Sequence, residues 1–137
     1  MANPRAFLSF DFDHNGIEKM LFAGQASTSS PTTFTIQDWS SKSSLPQNEW
    51  EKLIASKISS CNLMIVLVGK YMASATGVAK ELQFAKDANV PSFGVYVGGA
   101  DSLSNLPAGL ARNRTIKWTW QGIADAIDQM MTEGKNR

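Results

Sequence analysis

The chain has 137 residues, 43% hydrophobic and 18% charged, which is enough for one well-formed core and too short for two ordinary domains. Its 13 Lys and Arg against 12 Asp and Glu leave a formal charge of +1, without the basic bias of a nucleic-acid or anionic-membrane binder. One Cys, Cys61, and one His, His14, exclude an internal disulfide framework and a Cys/His zinc site. The longest unbroken apolar run, Leu63 to Val68, is far below the ~20 residues of a membrane helix. These features predict a single domain over residues 1–137, cytoplasmic, with neither nucleic acid nor membrane as partner.

Arg5–Phe10 reads as a short strand. Ile17, Met20, Leu21 and Gly24 follow at i, i+3, i+4 and i+7, one face of a helix. Ser27–Thr33 is loop-like, and Thr33–Ile36 is a β-branched and aromatic second strand. Trp50, Leu53, Ile54, Lys57 and Ile58 repeat the helical spacing, with Asn48 and Glu51 placed for a capping box. Leu63–Val68 (LMIVLV) is apolar throughout, as in a strand buried on both faces of a parallel sheet. A third helix starts near Thr76 and carries Val78, Leu82, Ala85 and Asn89. Ser92–Val97 is a fourth strand, Gly98–Asn113 a long loop, Thr115–Trp120 a fifth strand, and Ile123, Ala126, Ile127, Met130 and Met131 mark a last helix. Alternating strands and helices predict an α/β fold: a flavodoxin-like three-layer sandwich with a parallel sheet of order 2-1-3-4-5. Its ligand crevice then lies at the carboxyl ends of the first and third strands, where strand order reverses.

Around that crevice the first strand is followed by Asp11, Asp13 and His14. Two carboxylates would repel a phosphate, which argues against a flavodoxin, and Val68-Gly69-Lys70 lacks the Asp of a phospho-receiver. Asp11 and Asp13 either cap the next helix or serve a ligand. His14, in a polar loop, reads as exposed, and Cys61 as structural. After the second strand, Asp38 and Trp39 either cover the core edge or hold a ring. Glu81 falls inside the apolar stripe of its helix, three residues from Val78 and Phe84 and four from Ala85. A carboxylate there swings to solvent, pairs with a nearby Lys, or sits at the edge of a cleft with a raised pKa.

Taken together, several segments resemble bacterial TIR-like domains, in particular the small TIR proteins of Thoeris anti-phage systems. They are Phe7-Leu-Ser-Phe-Asp-Phe-Asp-His-Asn15, Gly24-Gln25, Ile36-Gln-Asp-Trp-Ser40, the third strand, Ala75-Thr-Gly-Val-Ala-Lys-Glu-Leu82 and Lys117-Trp-Thr-Trp120. Ser40-Ser-Lys-Ser-Ser44 departs from the pattern of animal and plant TIR domains. The resemblance implies cleavage of NAD, as substrate rather than cofactor, at the nicotinamide–ribose bond, with Glu81 at the catalytic position and no metal. Nicotinamide is a good leaving group without protonation, so one carboxylate facing the ribosyl cation suffices. Ser9, Phe10, Asp11, Asp38, Trp39 and Thr76 are the expected substrate-binding residues, with Phe10 or Trp39 stacking on a ring. The expected product is a cyclised or rearranged ADP-ribose read by a separate effector, and activity is expected to need self-association. The alternative is a non-catalytic interaction module of the same fold.

Overall fold

The computed structural model describes residues 4–11, 14–37 and 46–133. Its elements run β1 (Arg5–Ser9), α1 (Gly16–Ser29), β2 (Thr35–Gln37), α2 (Gln47–Ser59), β3 (Leu63–Val68), α3 (Thr76–Asp87), β4 (Ser92–Tyr96), β5 (Thr115–Ile116) and α4 (Trp120–Glu133). Short 3-10 turns at Met72–Ser74 and Arg112–Arg114 lead into α3 and β5. All four strand pairings are parallel, and the sheet order is β2-β1-β3-β4-β5, the doubly wound order expected from the sequence.

β3 sits at the centre with every residue buried, because side chains on both faces of the strand meet a helical layer. Leu63, Ile65 and Leu67 pack with Phe22 and Ala26 of α1 and with Ile123, Ile127 and Met130 of α4. On the other face Met64, Val66 and Val68 pack with Ile54 and Ile58 of α2 and Val78, Leu82 and Ala85 of α3. Cys61 is buried in that second layer, a structural position. The two outer helices of this layer are also joined by an ion pair, Lys80 Nζ to Glu51 Oε2 at 2.9 Å.

Four local expectations are corrected. The α1 face carrying Ile17, Met20 and Leu21 points to solvent, at 72%, 71% and 50% exposure. Phe22 and Ala26, one helical step around, meet the sheet instead. α1 also runs on through Ser29, past the start of the expected loop at Ser27. α2 begins two residues earlier than a capping box at Asn48 requires: Pro46 is the N-cap, and Glu51 accepts hydrogen bonds from Gln47 and Lys80. β5 is two residues long, not six. Trp118 and Trp120 leave the sheet to pack on Phe22, with ring centroids 5.6 and 5.0 Å away.

α3 ends on Asn89 in the left-handed region, φ 57°, with Val90 N–H bonded to the Ala85 carbonyl and Asn89 N–H to the Lys86 carbonyl. That Schellman arrangement stops the helix and turns the chain into β4.

Candidate functional site

The site is built where β1 and β3 end. Strand alternation places Phe7 and Ser9 on the α2/α3 side of β1. Ser9, the last residue of the strand, is fully buried, so its hydroxyl needs a partner. It donates to Glu81 Oε1 at 2.6 Å, across 72 residues of sequence.

Glu81 lies on the sheet-facing side of α3 with Val78, Leu82 and Ala85, and is 8% exposed. Of the three readings the wheel left open, two are excluded. The side chain does not swing to solvent. It does not pair with Lys80 either, whose ammonium is bound to Glu51 on α2. Among the described residues no cation pairs with Glu81. Burial therefore pushes its carboxyl up to about 7, against a smaller downward pull from the Ser9 hydroxyl.

The loop after β1 forms the second part. Asp11 is buried and its Oδ2 meets His14 Nδ1 at 2.6 Å. The Asp11 backbone carbonyl accepts from the N–H groups of His14 and Asn15, which closes the turn into α1. Asn15 stands at the N-cap without a side-chain cap bond and donates from Nδ2 to Glu18 Oε1. Its Oδ1 is buried with no hydrogen-bond partner, pressed over the backbone of Gly69, where any Cβ would overlap the carboxamide. Gly69 directly follows β3, so the two strand ends are locked together by a contact that only glycine permits. The His14 ring is stacked on Tyr71, centroids 4.1 Å apart and planes 22° from parallel.

Ser9 and Glu81 are thus brought together, and Asp11 lies two residues beyond Ser9. Phe10 alternates to the opposite face and is buried in the core with Leu8 and Phe22, so its ring is packing rather than a stacking platform. Thr76 is the exposed first residue of α3. Asp38 and Trp39 lie outside the described residues. Sequence reasoning read His14 as exposed, which it is, and missed its pairing with Asp11, although the spacing of three was the available signal. Tyr71 had no signal at all. Away from this edge, Leu21, Gln25, Trp118 and Trp120 line a shallow hollow of about 330 Å³ between α1 and the start of α4.

No protein-family model and no curated protein matches the chain. Among solved structures, the SEFIR domain of IL-17 receptor B is similar, with a TM-score of 0.57 over 95% of this chain and 96% of that one, and 11% of residues identical. At that identity the likeness defines the fold alone. It is a TIR-like, flavodoxin-like α/β fold, with the sheet order and helix layers described above. Among the described residues no helix is long and apolar enough to cross a membrane.

Proposed function

We propose that the chain cleaves NAD at its nicotinamide–ribose bond, with Glu81 as the carboxylate that faces the ribose. The observation that carries this reading is the buried Glu81 carboxyl held by Ser9 and by no cation among the described residues. A carboxylate kept dry without a charged partner is costly in the empty protein, and the single Ser9 hydroxyl offsets only part of that cost. A structural role gives no reason to retain that cost. A cationic ligand does, because its charge favours the ionised form and offsets the desolvation. The ribosyl centre of NAD becomes most cationic as the nicotinamide departs, so the attraction is greatest in the transition state. The bond from the ribosyl carbon to nitrogen breaks, and its electron pair neutralises the pyridinium ring. No proton need be delivered to the leaving group. Ser9 holds one carboxyl oxygen and leaves the other for the sugar.

The resemblance to the small TIR proteins of Thoeris systems supports a rearranged or cyclic ADP-ribose as product, sensed by a separate effector. It also supports a site completed by self-association, so specific activity rises with protein concentration. A second reading is a non-catalytic interaction module. It is favoured by the receptor domain among the structural neighbours and by the solvent-facing Ile17, Met20 and Leu21.

Incubation of the purified chain with NAD, from nanomolar to high micromolar protein, separates the two. Nicotinamide release followed by chromatography is expected, with mass spectrometry showing a product distinct from linear ADP-ribose. Glu81→Gln, which keeps the size and the Ser9 contact, is expected to abolish release in a folded protein. Full activity in that variant ends the catalytic assignment. Silence of the wild type at every concentration favours the interaction module.

A further inference from the structure

The only histidine of the chain is not a free loop residue. Two side chains, from the end of β1 and from the connection between β3 and α3, hold it at the carboxyl end of β1. From the end of β1, buried Asp11 takes one ring nitrogen. A carboxylate accepts, so Nδ1 carries the hydrogen, and the lone pair of the neutral ring is on Nε2. From the connection between β3 and α3, Tyr71 covers the ring face. From α1, Asn15 fixes the following turn over Gly69 and binds Glu18. The neighbouring Lys70 extends along Gly99, after β4. The His14 side chain keeps 41% of its surface in contact with solvent, so this orientation is imposed by partners rather than by burial. Two residues of extended chain reach about 7 Å, so the Asp11 backbone lies within that distance of Ser9's. The imidazole therefore stands at the same strand end as the Glu81 carboxyl.

The Asp11 carboxylate is turned to the imidazole, and Asn15 caps α1 without its side chain. The Asp–His geometry is that of an oriented base. Resting on the NAD-cleaving reading, we propose that His14, oriented by Asp11 and Tyr71, is the base that takes the proton from a hydroxyl nucleophile as it attacks the ribosyl carbon. The balance is simple. The ribosyl carbon loses nicotinamide with the bonding pair. An oxygen of water or of a sugar hydroxyl forms the new bond to that carbon and gives its proton to Nε2, which later releases it to solvent. Glu81 supports the cation and His14 the capture. Asp11 and Tyr71 are positioning residues.

This division has a signature that loss of structure does not share. A pyridine nitrogen attacks without a proton to lose, so capture by 3-acetylpyridine does not need His14. The test measures wild type, His14→Gln and Asp11→Asn with NAD and 3-acetylpyridine, reading base exchange and hydroxyl capture in the same reaction by chromatography. His14→Gln is expected to raise the ratio of exchange to hydroxyl capture by at least about tenfold, the lower range of what a positioned base contributes. Asp11→Asn keeps the imidazole, removes its anionic partner and is expected to raise the ratio less. A ratio for His14→Gln within about threefold of wild type, in protein with unchanged circular dichroism, overturns the assignment of His14 and leaves that of Glu81 standing. Absence of both exchange and hydroxyl capture in the wild type overturns the NAD-cleaving reading, and this inference with it.

Discussion

The Glu81 carboxyl ties the site to the stability of the whole chain. Its ordinary value is 4.5 and its folded value about 7, so between those limits the folded protein holds a proton that the unfolded chain releases. The stabilising contribution of this group is full below pH 4.5 and is lost as pH rises through 7. Above that it amounts to about 3 kcal/mol less stability than a neutral isostere would give. Urea unfolding of wild type and Glu81→Gln between pH 4.5 and 8.5 checks this. The variant is expected to be the more stable protein at the alkaline end, by an amount that shrinks towards pH 4.5. On the NAD-cleaving reading, the same titration is expected to give kcat/KM for NAD an acid limb: activity rises with pH and levels above about 7, because on that reading the ionised carboxyl is the active form. Ser9→Ala is expected to move that limb to higher pH, because the hydroxyl is what pulls the carboxyl down.

At the scale of elements, α1 and α3 show why periodicity is legible in one helix and ambiguous in another. In α3 the apolar residues form one stripe, so the side that meets the sheet, and with it the odd position of Glu81, could be read directly. α1 carries two apolar sets. Ile17, Met20, Leu21 and Gly24 match the helical repeat, yet Phe22 and Ala26 are the ones that reach the sheet. The spacing alone does not rank them; the aromatic bulk of Phe22, which fills the gap beside Trp118 and Trp120, decides. The expected consequence is asymmetric. Phe22→Ala should cost about 3–5 kcal/mol in urea unfolding, whereas Met20→Gln should change stability by less than about 0.5 kcal/mol. The overlong fifth strand has a related origin. Alternating Thr and Trp imitate a strand pattern, but the indoles are recruited by α1, and pairing stops at Ile116. The loop contacts Asp11–His14–Tyr71 and Asn15–Gly69 have no period, so only the first, at a spacing of three, left any trace in the sequence.

On the scale of the whole molecule, the sheet order was legible because it follows from few facts: a doubly buried β3 and helices between strands. β3 bridges the halves of the sheet through its pairings with β1 and β4. The pairings of the described strands are all parallel, so none of them is a hairpin and each must close a long crossover connection. The centre and the margins should therefore open in different ways. In native-state hydrogen exchange, amides of Ile65, Val66 and Leu67 are expected to exchange only with global unfolding, at the full unfolding free energy. The amides of Thr115 and Ile116, on a two-residue margin, should exchange through cheaper local openings. The slowest-exchanging amides then mark the strand beside the site, and the Ser9 hydroxyl that grips Glu81 is anchored to the part of the protein that fluctuates least.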